Sequence, residues 1–231
     1  MSRAGNTTGV GAVVFDLDGV IVDSEHVWNE ARMRLAEERG GLWHPGAQRA
    51  MMGMSSTEWS RYMHEVIELP DPPEEISAEV VRRLSAIYRE ELPLIPGAVE
   101  AVRRLRARFR LGLASSSNRE LIDLVLDLAG IAECFEATVS SEEVARGKPA
   151  PNVYLEVARL LELPPEDCAA IEDSENGILS ARRAGMRVVA VPNPRYPPGE
   201  AALAEADVVV RSPAELTLSL VGSLPPRSWR G

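Results

Sequence analysis

The sequence predicts an α/β fold: a Rossmann-like parallel sheet core carrying an inserted small helical cap domain. Three observations predict it. Short apolar runs rich in β-branched residues alternate with helical patterns over most of the chain. From about Ser24 to Leu92 that alternation gives way to helical patterns alone. The length, 231 residues, suffices for one sizeable α/β domain with a smaller insert.

Val10–Phe15 is the first apolar run, and it passes directly into acidic residues. Leu111–Ala114, Cys168–Ile171, Arg187–Val191 and Asp207–Val210 have similar length and similar turn-forming or polar flanks, as buried strands do. Helical patterns lie between most of them, at Gly97–Arg108, Asn118–Ala129, Asn152–Leu161 and Asn176–Ala184. Gly185 suits the position just past the last of these. The insert reads as helices Ser24–Arg39, Thr57–Glu68 and Ala78–Glu91, separated by Gly40-Gly41 and the Pro70–Pro73 cluster. The chain re-enters the sheet through the proline-marked segment 92–97. The core is therefore assigned to residues 1–22 and 95–231, and the cap to 23–94. No internal repeat is found, and the first nine residues and the tail from about Gly222 are expected to be loose.

Composition narrows the function classes. The chain is 45% hydrophobic and 26% charged, with no apolar run long enough for a membrane span. Its N-terminus lacks the apolar stretch and small-residue cleavage site of a secretory signal. Cys134 and Cys168 have no CxxC spacing and no histidines beside them, so they read as reduced core residues. A cytoplasmic location is expected. A net charge of −10 disfavours nucleic acid or an anionic membrane as partner; a monomer or small homo-oligomer is expected.

Ligands of parallel α/β sheets sit beyond the carboxyl ends of the strands, which directs attention to four places. The first strand runs into Asp16-Leu17-Asp18-Gly19, two carboxylates near one mouth with a glycine that permits a sharp turn. The second ends in Ser115-Ser116-Ser117-Asn118, hydroxyls and N–H groups at a helix start. Gly147-Lys148-Pro149 brings one cation, and the strand from Cys168 ends in Glu172-Asp173-Ser174. Singly, such residues are ordinary caps, turn formers or surface charges. Gathered at one sheet edge, they suit phosphoryl transfer. A carboxylate nucleophile divides hydrolysis into two easier steps, and a hard divalent cation lets an anionic substrate approach anionic side chains. Lysine and hydroxyl groups stabilise the equatorial oxygens.

These segments resemble the haloacid dehalogenase superfamily, which consists mostly of phosphatases and phosphomutases. FDLDGVIVDSE at 15–25, LASSSN at 113–118, GKPAP at 147–151 and IEDSENGILSARRAG at 171–185 stand in that family's order. The resemblance implies a helical cap over 24–92, Asp16 as nucleophile and Asp18 as general acid/base. It also implies that Ser115 and Lys148 bind the transferring phosphoryl group, with Ser116 and Asn118 as further candidates. Mg2+ would be held by the carboxylates of Asp16 and Asp173 and the carbonyl of Asp18, with Glu172 as a ligand or a partner behind the ligands. The family's dehalogenases lack an acidic residue at the Asp18 position. Aligned without gaps, its β-phosphoglucomutases have a histidine, a phosphate-gripping arginine and a lysine where this chain has Trp28, Ser56 and Asn118. The expected activity is thus Mg2+-dependent hydrolysis of a small phosphorylated substrate, a sugar phosphate or similar. A phosphomutase or a silent phosphate-binding relative are the alternatives. His26, His44 and His64 are expected on helix surfaces or satisfied, with His26 the one placed to face the cleft; Trp28, Trp43 and Trp59 are cap residues of which one could line the pocket.

Overall fold

In the computed structural model, which describes residues 9–226, six parallel strands form one sheet in the order β3-β2-β1-β4-β5-β6. They are β1 (Ala12–Phe15), β2 (Arg110–Ser115), β3 (Ala137–Ser140), β4 (Cys168–Glu172), β5 (Arg187–Ala190) and β6 (Val208–Val209). Side chains on successive strand residues point to opposite faces, so each strand feeds two cores. Val13, Phe15, Leu113 and Ile171 pack on one face; Ala12, Val14, Ala170 and Val188 pack on the other. With both faces covered, the strands are continuous apolar runs rather than alternating ones, as the sequence pattern required.

On the first face lie α5 (Ala98–Arg106) and α6 (Arg119–Leu128), which give it Val102, Leu105, Ile122 and Val125. On the second lie α7 (Asn152–Leu160) and α8 (Glu175–Arg183), which give it Tyr154, Val157, Ile178 and Ala181. The short α9 (Glu200–Leu203) and α10 (Leu218–Gly222) finish the core. Residues 1–8 and 227–231 lie outside the described residues, and with them most of the N-terminal end and half of the tail expected to be loose. The part of the tail that is described ends a helix and buries Leu224.

Between β1 and β2 the chain forms α1 (Glu25–Arg39), α2 (Ala47–Met51), α3 (Ser56–Glu65) and α4 (Pro73–Glu90). Trp28, Leu35, Trp59, Met63, Val80 and Leu84 are buried among them. Several elements differ from the sequence reading. Helix α4 begins at Pro73, because proline at the first helical position lacks only an N–H that would be unpaired there anyway. Helix α2 and strand β3 were not expected; five and four residues are too short to show a period. The helical block joins the sheet through two adjacent segments. Asp23 N–H donates to the Pro93 carbonyl at 2.8 Å, Ile95 N–H to the Ile21 carbonyl at 2.9 Å, and Val22 bridges Leu94 antiparallel. No described helix is long and apolar enough to cross a membrane.

Candidate active site

The strand order reverses at β1: β2 and β3 lie on one side of it, β4 to β6 on the other. A crevice opens at such a point beyond the carboxyl ends. Phe15 is in register with Leu113 and Ile171, so Asp16 emerges between Ser115 and the Glu172-Asp173 pair. Lys148 reaches in from the loop before α7. Its Nζ donates to Asp16 Oδ1 at 2.8 Å, to Glu172 Oε1 at 2.6 Å and to the Ala114 carbonyl at 3.0 Å. Three acceptors use all three ammonium protons.

Glu172 is fully buried and saturated. Its Oε1 also accepts from Tyr154 Oη at 2.7 Å, and its Oε2 from the N–H groups of Asp173 and Ser174 and the Ser174 hydroxyl. Gly177 makes room for it, since a Cβ there would stand 1.9 Å from the carboxyl carbon. Gly19 does the same for Asp173: its φ of 80° suits glycine, and a Cβ would lie 1.9 Å from Asp173 Oδ2.

Asp16, Glu172 and Asp173 each offer an oxygen within 4.8 Å of the others, and Lys148 pairs with Asp16 and Glu172 but not with Asp173. Burial, and next the Glu172 charge, push the Asp16 carboxyl up to about 8 against the pull of Lys148. Burial and the same neighbouring carboxylates raise Asp173 well above the usual range. Among the described residues, no side-chain bond is made to the Asp173 carboxylate, although the residue is 4% exposed and faces the cavity. A buried carboxylate without a donor beside two others fits a hard cation. Asp16 and Asp173 would hold a magnesium ion directly, with Glu172 occupied behind them.

Asp18 turns towards the cap. Its Oδ1 accepts from Ser24 Oγ at 2.5 Å and Trp28 Nε1 at 3.2 Å, and its Oδ2 from Ser117 Oγ at 2.6 Å, with Ser115 Oγ 3.5 Å away. Asp18 is thus tied to the start of the helical block through Ser24 and Trp28 and to the loop after β2 through Ser117. Ser115 is buried beneath this network and accepts from Ser117 N–H at 3.0 Å. Ser116 faces the cavity and donates to the Gly53 carbonyl of the cap at 3.3 Å. Asn118 points elsewhere: its amide donates to Glu142 Oε1 at 2.7 Å, an oxygen that also accepts from Ser56 Oγ.

The cavity over Asp16 holds about 450 Å³ and is flanked by the cap and by the loop around Tyr196. Asp16, Asp18, Ser116, Lys148 and Asp173 line it from the core; Ser115, Asn118 and Glu172 do not. The cap contributes Glu25, Trp28, Arg32, Met51 and Trp59. Sequence reasoning had not singled out Glu25, Arg32 or Ser117. The signal for the first two was available: positions 25, 28 and 32 fall on one helix face. His26, expected to face the cleft, is instead exposed and does not line the cavity; His44 bonds the Tyr62 hydroxyl at 2.9 Å, and His64 bonds the Leu69 and Asp71 carbonyls.

Residues 10–185 match the family model of haloacid dehalogenase-like hydrolases. The chain belongs to that family. The hydrolase is 32% identical over 214 residues to hexitol phosphatase B of Escherichia coli (strain K12), covering 89% of this chain and 94% of that protein. It is 31% identical over 219 residues to the bifunctional riboflavin kinase/FMN phosphatase of Arabidopsis thaliana, spanning 94% of its own length and 57% of the relative's. A solved structure of CbbY from Rhodobacter sphaeroides with phosphate superposes with a TM-score of 0.82 at 26% identity, covering 92% of this chain and 99% of that one. The hydrolase is an enzyme of the phosphoric monoester hydrolase class.

Proposed function

We propose that this hydrolase is a magnesium-dependent phosphatase that cleaves a small phosphorylated metabolite, a sugar phosphate or similar, through an aspartyl-phosphate on Asp16. The observation that carries the reading is the buried Asp16–Lys148–Glu172–Asp173 cluster, of which Asp16, Lys148 and Asp173 line the cavity beneath the cap, with Asp18 beside it. The hexitol phosphatase and FMN phosphatase relatives support it.

In this reading the free Asp16 oxygen attacks phosphorus while the bond to the leaving oxygen breaks, and Asp18 gives that oxygen a proton. A water then attacks the aspartyl-phosphate, its proton passes to Asp18, and Asp16 leaves as a carboxylate. Lys148 holds Asp16 in place and adds positive charge where the phosphoryl oxygens gather. Ser116 offers a hydroxyl at the cavity wall, and Ser115 and Ser117 set the position of Asp18. Asn118 serves the core–cap contact instead. A magnesium ion on Asp16 and Asp173 would supply charge neutralisation for the incoming phosphate. In the ungapped alignment, Trp28, Ser56 and Asn118 stand where the family's mutases have phosphate-handling groups, which favours water as acceptor.

The test is phosphate release from a panel of phosphorylated sugars, polyols, nucleotides and short acids, with an aryl phosphate as the generic substrate. Turnover should require magnesium and stop on addition of chelator. Undiminished turnover in excess chelator, or none on any substrate with magnesium present, would overturn the proposal.

A further inference from the structure

Arg32 has no role in the chemistry above, yet its setting is unusual. It lies on α1, lines the cavity and is only 4% exposed. The guanidinium carbon stands 4.5 Å from the Trp28 ring centre and 4.7 Å from that of Trp59. Among the described residues it forms one hydrogen bond, from Nη1 to Gln48 Oε1 at a long 3.5 Å. Nε is buried without a partner, and Nη2 makes no bond among the described residues. Nor does any described carboxylate approach within ion-pairing distance: Glu25, the nearest charge by its effect on Arg32, spends Oε2 on Gln48 Nε2 at 2.7 Å. Burial lowers Arg32 to about 10, so the side chain remains a cation at neutral pH.

A buried cation with neither ion pair nor full hydrogen bonding is expensive, and packing between two indoles would be served by methionine or leucine. What guanidinium alone offers is its Nε–Nη2 edge, the fork that meets a carboxylate or phosphoryl with two parallel N–H···O bonds. That edge is the unpartnered one. Trp28 relates it to the reaction: the indole edge donates to Asp18, and the indole face carries Arg32. Asp18 serves the leaving oxygen in the proposed mechanism, so Arg32 stands on the leaving-group side of the scissile bond.

We infer that Arg32 recognises a second anionic group, a carboxylate or a further phosphoryl, carried by the leaving group of the substrate. This rests on the phosphatase reading and deepens it. The substrate class is a small phosphate monoester with two separated anionic ends, selected over its neutral analogues by the cap.

The experiment uses the magnesium-loaded enzyme and matched pairs: a phosphorylated hydroxy acid against the phosphorylated diol of the same skeleton, and a bisphosphate against its monophosphate. Wild type should favour the anionic member by tenfold or more in kcat/KM, and the pair showing the preference tells carboxylate from phosphoryl. Charge-assisted bonding of this kind is worth roughly ten- to hundredfold. In Arg32→Gln the ratio should fall to about one, and Arg32→Lys should recover part of it. A merely structural role would lower both members alike and leave the ratio standing, and that result, or a wild-type ratio near one for both pairs, would overturn the inference. If wild type releases no phosphate even from aryl phosphate, the phosphatase reading is what has failed. Calorimetric binding of the same pairs with magnesium then decides on Arg32 alone: loss of the anionic preference in Arg32→Gln upholds it, and equal binding refutes it.

Discussion

Gly177→Ala sets two effects of opposite sign against each other. Gly177 is in the first turn of α8, where alanine in place of glycine adds about 1 kcal/mol of helix propensity. The new methyl would lie 1.9 to 2.0 Å from the three carboxyl atoms of Glu172. A glutamate head on an open surface would swing aside at little cost. This one is fully buried and held by Lys148, Tyr154, two backbone N–H groups and Ser174. Displacing it leaves Lys148 with one carboxylate and puts an unpaired charge in the core, a loss of about 3–5 kcal/mol for comparable buried pairs. The net expectation is destabilisation by about 2–4 kcal/mol, read as a lower urea midpoint at unchanged slope. Turnover should fall by tenfold or more, because Lys148 and the neighbouring Asp173 lose their settings. A Gly177→Ala protein as stable as wild type, with unchanged kcat, would show that Glu172 is not pinned and that the argument from its five partners is wrong.

Asp16→Asn should form no phosphoenzyme and show no turnover, whereas Asp18→Asn should accumulate an Asp16 adduct from an aryl phosphate, because loss of proton transfer slows hydrolysis by about 10²–10⁴-fold; acid-quench mass spectrometry would detect the adduct, and one on serine would contradict the roles. Magnesium should raise the melting temperature by relieving repulsion among Asp16, Glu172 and Asp173. Asp173→Asn should raise the metal-free melting temperature and remove the magnesium shift, and an unaltered shift would exclude Asp173 as a ligand. Glu142→Ala removes the acceptor shared by Ser56 and Asn118, so the cap should open more readily, seen as a larger radius in solution scattering and a higher KM; no change in either would mean that the cap is held elsewhere. Burial pushes the Cys168 thiol up to about 12, so its thiolate is scarce at pH 8 and alkylation should track unfolding, an outcome that labelling of the native protein faster than its unfolding would contradict.

The strands that fill the centre of the sheet were legible because burial on both faces writes them as unbroken apolar runs. Strand β3 was not: four residues, Ala137–Ser140, at the sheet edge and containing Thr138 and Ser140, leave too little pattern. The placement of Asp16, Glu172 and Asp173 together follows from strand ends, which a topology rule can locate before any coordinates exist; Lys148 joins them from the loop before α7. Distances of that kind do not extend to side-chain direction. Ser115 and Asn118 flank Ser116 within four residues of sequence, yet one is sealed under Asp18 and the other turned to Glu142, according to which donors and acceptors lie within reach. Arg32 was hidden for a different reason. An arginine in mid-helix is ordinarily taken as solvated, and only the arrival of Trp59 from another helix encloses it.

The two-segment neck between sheet and cap has a consequence for how the chain reaches this fold. Val13 and Leu111 are sheet neighbours about 100 residues apart in sequence, a pairing whose closure entropy must be met before it is rewarded. Helices α1, α3 and α4 make most of their contacts with one another, and helical units with local contacts form fast. Once they have collapsed, the chain between β1 and β2 is no longer a long flexible loop but a compact body whose ends emerge side by side at Val22 and Leu94. The cap then acts as a short tether that presents β2 to β1, so weakening the cap's interior should slow refolding of the sheet even where it leaves the sheet's own packing untouched.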